Sequence, residues 1–229
     1  MSTELPPQRR DSEALQILAT EHWSLLATRA LTYQESFGRV NMFLTILSGA
    51  VIALALVAQA DRFGTTFIAV AIFMLTVVFV TGIATVRRLV MLNRDDYKWV
   101  VGMNRLRHAY LQLHPELEPN FITSPYDDLQ GALQTLGLDP VSAPTLGTVF
   151  HGLVTLPGIL GVIVASVGGA IAALAGAGFG APVYLVVLLG AAAFAVTLVV
   201  MARGNRRSFR SYGPSVVSRF PSPPKSPAS

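Results

Sequence analysis

VNMFLTILSGAVIALALVAQA, Val40 to Ala60, is separated by only Asp61-Arg62 from FGTTFIAVAIFMLTVVFVTGIATV, Phe63 to Val86. Neither run holds an Asp, Glu, Lys or Arg, and they are 21 and 24 residues long. A helix rises about 1.5 Å per residue, so about 20 apolar residues cross the hydrocarbon layer of a bilayer. Each run therefore reads as one span, near 42–60 and 65–86, joined by a tight turn. Inside lipid every backbone N–H and C=O must be satisfied within the segment, which makes each span a helix.

Working outward, a third stretch from Pro140 to Ala202 is also free of those four residue types and is 63 residues long. That is enough for two spans, and the cluster Gly176-Ala-Gly178-Phe-Gly180-Ala-Pro182 supplies a break, with proline suited to the first turn of a new helix. The spacing predicts spans near 149–175 and 182–202, four in all, and an all-α fold of two hairpins. The expected organisation is a disordered 1–10, a long-helix hairpin over 11–113, and a loop over 114–148 with a short helix at 125–136. The second hairpin follows over 149–202, then a basic and Ser/Pro-rich disordered tail over 203–229.

Composition points the same way. Of 229 residues 52% are hydrophobic and only 13% charged, and the mean hydropathy is +0.53. About 25% charged is usual for a soluble domain, so the apolar excess calls for lipid as a second solvent. There is no cysteine, which excludes disulfides, thiolate nucleophiles and cysteine-bound zinc. Sixteen of the 17 basic residues fall on one side of the two expected hairpins. The excess of Lys and Arg in cytoplasmic loops places that side, with both termini, in the cytoplasm, and the protein in the cytoplasmic (inner) membrane. Met1–Arg10 contains no apolar run ahead of a cleavage site, so no signal peptide is expected. The net charge of +4 arises in the tail, where six bases meet no acid, and this argues against a basic nucleic-acid-binding domain.

Outside the spans, Asp11–Val40 lacks proline and has one glycine, and reads as helix. Ala19, Trp23, Leu26, Ala30, Tyr33, Phe37 and Val40 recur at steps of four and three. Leu89, Leu92, Trp99, Met103, Leu106, Tyr110 and Leu113 keep a similar seam after the second span, with Asp96 as its polar exception and Pro115 as its end. Either these stripes pack on each other within one chain, or they also meet copies of themselves and drive homo-oligomerisation. Ser124-Pro125 looks like a cap and first turn for the short helix, which Gly137 closes.

Chemically capable groups are few. Gly161, Ala165, Gly169 and Ala173 form a small-xxx-small face that lets helices approach closely, against the fourth span or against another copy. Arg203, Arg206, Arg207 and Arg210 follow the last span and suit either lipid headgroups or plain topology anchoring. The G-x-G-x-G of 176–180 follows no strand and reads as a turn. His108, His114, Glu116, Glu118, Asp127 and Asp128 include metal-ligand types but no paired metal motif, and read as a solvated acidic loop. Asp95-Asp96 beside Arg94 and Lys98 reads as a solvated ion-pair face. No Asp, Glu, Lys or Arg lies within a span, which disfavours a proton- or cation-coupled transporter. No cofactor, metal or catalytic residue is expected, and the chain is not read as an enzyme.

Two stretches carry a resemblance. Glu21-His-Trp-Ser-Leu-Leu-Ala-Thr-Arg29 leads by helix into the first hairpin, and Met103-Asn-Arg-Leu-Arg-His108 is followed by Pro115-Glu-Leu-Glu-Pro119. Together they resemble a group of bacterial four-span integral membrane proteins over residues 12–139. The helix–span–span–helix plan is similar, more distantly, to the SLATT-type and Pycsar-type two-span effectors of antiphage defence. That likeness implies a cytoplasmic oligomerising part and a membrane part that permeabilises on activation. This chain adds a second hairpin and carries no recognisable nucleotide-sensor motif. The expected function is a multi-pass, helical, oligomerising scaffold or interaction protein whose partners are lipid, its own copies and an unspecified protein. A pore-forming effector is the alternative, and a small transporter or membrane enzyme is disfavoured.

Overall fold

The computed structural model describes residues 7–137, 155–210 and 216–224, and among these it holds helices and turns but no strand. In chain order they are α1 (Pro7–Asp61), α2 (Thr65–Leu113), a 3-10 turn (Pro115–Asn120), α3 (Leu129–Thr135), α4 (Leu156–Gly178) and α5 (Val183–Arg210). Four of them, α1, α2, α4 and α5, are long and apolar enough to cross a membrane. Two compact units divide the chain. One comprises Met1–Tyr33, Asn93–Ser142 and Phe209–Ser229, the other Gln34–Leu92 and Ala143–Ser208.

In the second unit the core is built from Val40, Phe43 and Ala50 of α1, Leu75, Val78, Val86, Leu89 and Leu92 of α2, and Leu160, Val164 and Val167 of α4. The helices meet where side chains are missing. A Cβ on Gly82 would stand 2.5 Å from Val164 and 2.9 Å from Phe43, so this glycine is what admits α4 and the Phe43 ring to α2. Most of the remaining apolar surface faces outward: Val51, Ile52, Leu56, Phe73, Val80, Val187, Val196 and Val200 are all exposed. Such a surface has no favourable solvent in water and suits acyl chains. Hydroxyls along these helices bond back to the carbonyl four residues earlier, as Thr45 does to Asn41, Thr76 to Ile72 and Thr85 to Thr81. No polar side-chain group need face lipid unbonded on their account.

Both short connections carry their own chemistry. After α1, Asp61 accepts the Phe67 N–H at 2.7 Å and its carbonyl accepts from Gly64, while Arg62 and Phe63 take positive φ of 47° and 64°. That conformation is uncommon for non-glycine residues, and the Asp61 bonds hold it. After α4, Gly180 sits at φ 74° and Ala181 N–H reaches back to the Gly176 carbonyl at 3.0 Å, a glycine-closed helix end directly before Pro182.

Several boundaries differ from the sequence reading. The first helix begins at Pro7 rather than 11, and α5 continues through Arg210, so residues 203–210 are helical. The third span begins at Leu156, with Thr155 accepting the Gly158 N–H as its cap. Residues 149–154 of that expected span, 1–6 of the expected disordered N-terminus, and 138–148 of the loop lie outside the described residues. The short helix is also smaller than expected, Leu129–Thr135 in place of 125–136. Its cap is Asp128, not Ser124, because Asp128 accepts the Gly131 N–H at 2.8 Å. Ser124 is spent one turn earlier on the Tyr126 N–H.

Candidate functional site

The first unit gathers its polar side chains on one pair of helix faces. On α1, His22, Leu25, Arg29 and Thr32 recur at steps of three and four and are all at least partly buried. Arg29 meets Asp96 of α2 through Nε–Oδ1 at 2.6 Å and Nη2–Oδ2 at 3.3 Å, and the Tyr33 hydroxyl adds a contact to Oδ2 at 3.3 Å. Burial by itself would lower the Arg29 pKa, but the Asp96 carboxylate outweighs it and raises it. About one turn earlier on α1, Leu25 closes on Gly102, where a Cβ would stand 3.0 Å away. His22 stacks on Tyr110 at 6.0 Å, its pKa lowered by burial and then by the charge of Arg107.

The second half of this site is a corner between α2 and the segment before α3. Asn104 is fully buried and bonded at both amide atoms: Nδ2 donates to the Tyr126 carbonyl at 2.7 Å, and Oδ1 accepts from Arg107 at 2.7 Å and Thr135 at 3.0 Å. Asp127, only 1% exposed, accepts Arg105 Nε at 2.7 Å, the Ser218 hydroxyl at 2.7 Å, and the backbone N–H groups of Arg219 at 2.9 Å and Phe220 at 2.7 Å. Burial alone would raise the Asp127 carboxyl. The N–H of Arg219, the Ser218 hydroxyl, the Arg105 guanidinium and the Phe220 N–H together hold it well below the ordinary carboxylate range.

Asp127 N–H donates in return to the Phe220 carbonyl at 3.1 Å, and Arg105 Nη2 donates to the Val217 carbonyl at 2.5 Å. Asp128 takes the N–H and hydroxyl of Ser222 at 3.0 and 2.8 Å, and Phe220 lies on the His108 ring with centroids 3.9 Å apart. Residues 216–224, expected to be disordered on Ser/Pro composition, are thus a strap with at least seven hydrogen bonds to Asp127, Asp128 and Arg105. Composition misled because proline removes a donor without preventing its neighbours from donating. The rest of the tail, 211–215 and 225–229, lies outside the described residues.

The other sequence candidates divide as follows. On α2, Met103 is buried and Trp99, Leu106 and Tyr110 half-buried, whereas on α1 Trp23 is 71%, Leu26 42%, Tyr33 46% and Phe37 57% exposed. Apart from the Tyr33 hydroxyl on Asp96 and Val40 in the core, the α1 stripe is left outward, and the polar stripe beside it is the one that meets α2. The rotation of α1 that joins Arg29 to Asp96 is the one that leaves Trp23, Leu26 and Phe37 outward. Gly169 lies against the Gly190 carbonyl, where a Cβ would approach to 2.8 Å, Ala173 meets Gly190, Gly161 faces Met201 and Ala165 is fully buried. Arg203 is exposed, and the side chains of Arg206, Arg207 and Arg210 lie outside the description.

The solvated acidic loop is corrected for Asp127 and Asp128, which are structural acceptors; Glu116 and Glu118 are exposed, with His114 Nδ1 2.9 Å from Glu116. Asp96 likewise leaves the expected solvated face, while Asp95 pairs with Lys98 there at 2.9 Å. Asn104 and Arg105 entered the sequence reading only within the Met103–His108 stretch and were given no site role, and Ser218, Phe220 and Ser222 were given none. Asp96, a lone acid within an apolar seam, was the one available signal that α1 holds a basic partner. No protein-family model, curated protein or solved structure matches the chain.

Proposed function

We propose that this protein is a self-associating membrane scaffold, anchored by four spans in two hairpins and displaying the α1 aromatic stripe to a second copy. The observation that carries this reading is the exposure of Trp23, Leu26, Tyr33 and Phe37 on one helix face, outside the apolar span of α1. A buried aromatic contributes roughly 150–250 Å² to an interface, so three of them with Leu26 from each of two copies reach the ~1,000 Å² a specific interface needs. Steps of three and four suit the meshing of identical helices, and an identical copy is the one partner certain to carry the matching stripe. The distribution of basic residues supports both termini, this stripe and the strap lying on the cytoplasmic side of an inner membrane. A scaffold rather than an enzyme is supported by the Asp127 corner, whose acceptors are occupied by structural donors.

The test is the mass of the detergent- or nanodisc-embedded protein by light scattering or native mass spectrometry, with dye leakage from liposomes read on the same preparation. The expected result is a defined multimer that Trp23→Asp reduces, in tight liposomes. A single-chain mass for the parent overturns the scaffold. Leakage from a defined multimer replaces it with a pore-former. Trp23 is the residue to change, because Trp99 is half-buried on α2 and its loss disturbs the fold as well.

A further inference from the structure

The strap has the features of a bound peptide. Its hydrogen bonds and its ring contact fall within Val217–Ser222, and they are read by fixed groups of α2 and the α3 approach. Asp127 reads two consecutive N–H groups and a hydroxyl, His108 reads an aromatic ring, and Asp128 reads a second N–H and hydroxyl. Paired carboxylates spaced one residue apart select an extended Ser-x-Phe-Pro-Ser segment, because a proline between the two readings presents no N–H to leave unpaired. The back of the strap is open: Val217 is 81% exposed, and Ser218, Arg219 and Pro221 are exposed. At its start Val216 packs on the Tyr97, Val100, Val101 and Ala132 cluster, so leaving withdraws one apolar side chain from that cluster along with the hydrogen bonds.

We propose that the Asp127–Asp128 corner, with Arg105 and His108, is a peptide-recognition site whose occupant exchanges between the chain's own residues 217–222 and the same residues of a second copy. Every bond made in cis is available unchanged in trans, so exchange costs no contact, which is the condition for swapping an element between identical chains. Swapped tails would tie neighbouring copies together by hydrogen bonds and ion pairs, independently of the aromatic stripe. This inference rests on the self-associating reading for its second copy.

The absence of cysteine makes disulfide trapping clean. His108→Cys and Phe220→Cys place two thiols where the rings now stack, and leave the Asp127 and Asp128 anchors in place. Placed on one full-length chain, the pair reports docking in cis; placed on two differently tagged chains that are co-expressed and oxidised in the membrane, it reports docking in trans. We expect both crosslinks, and a roughly tenfold loss of each when Asp127→Asn is added to the His108→Cys chain, the weight of a charge-assisted bond network. A cis crosslink without the trans one, in a preparation whose parent mass is multimeric, overturns exchange and leaves the scaffold standing. A parent mass of one chain overturns the scaffold instead. Absence of both crosslinks, or a trans crosslink indifferent to Asp127→Asn, overturns recognition at this corner.

Discussion

Arg29 and Asp96 stand 67 residues apart in sequence and meet through two nitrogen–oxygen contacts, of which the closer is 2.6 Å, with their side chains 22% and 13% exposed. A sheltered pair of this kind orients the two helices that carry it, because a guanidinium and a carboxylate hold each other in one plane. It also leaves a costly charge behind when one partner goes.

Asp96→Ala is therefore expected to destabilise the protein by about 2 kcal/mol, and Arg29→Ala by a similar amount. The double variant should lose less than the sum, since neither charge is then left alone. Tyr33→Phe, which removes two long contacts of 3.3 Å, one from Arg29 and one to Asp96, should cost under about 1 kcal/mol. Thermal unfolding of the four proteins in one detergent checks the set; additive losses would show that the two residues act separately.

Glu35 accepts Arg88 through two contacts of 2.9 and 3.0 Å and Arg39 at 2.8 Å. Hydrogen bonds from Arg88 and then Arg39 lower its pKa to about 2, against an ordinary 4.5. A depressed carboxyl contributes stability that is full above its unfolded pKa and is lost as pH falls through the folded one. The contribution should hold at pH 6 and fade between about pH 4.5 and 2. Glu35→Gln should flatten that part of the melting-temperature profile and leave the remainder parallel. An unchanged slope in the variant would assign the acid sensitivity elsewhere.

Asp127→Asn keeps the volume of the side chain while depriving Arg105 of its counter-charge and presenting an amide donor to N–H groups that need an acceptor. The amides of Arg219 and Phe220 should lose their protection against hydrogen exchange, while those within α2 keep theirs. Mass-resolved exchange of the tail and of α2 in the same digest reads this directly. Protection surviving in the tail would mean that Asp128 and the His108 stack suffice.

Gly169→Val places side-chain atoms into the Gly190 carbonyl, already 2.8 Å from the position of a bare Cβ. Forcing α4 and α5 apart should cost about 1–3 kcal/mol. Gly204→Ala on α5 is the contrast: nothing lies within 4 Å of its Cβ, so the better helix former should be neutral or stabilising by up to about 1 kcal/mol. Equal losses at both positions would indicate a helix-propensity effect and no close approach.

Legibility in the sequence followed the range of the physics. A run of 21 or 24 residues without charge specifies a membrane-length helix wherever it lies, because the cost of a polar group in hydrocarbon is local to that group. The Gly180–Pro182 turn and the small face of α4 were readable for the same reason: a missing Cβ acts on its immediate surroundings. The rotation of α1 was not readable. Its aromatic stripe and its polar stripe have the same period, and the choice between them belongs to Asp96 on another helix.

The strap was illegible for a stronger version of that reason. Ser218, Phe220 and Ser222 sit among prolines, and their order comes from two carboxylates more than 90 residues earlier. Asp127 and Asp128 in turn look like solvated surface until the tail closes over them. The sequence by itself determined the four apolar helices, since burial in lipid depends on composition alone. Tertiary structure decided which polar groups became interior, since a hydrogen bond depends on where its partner is brought.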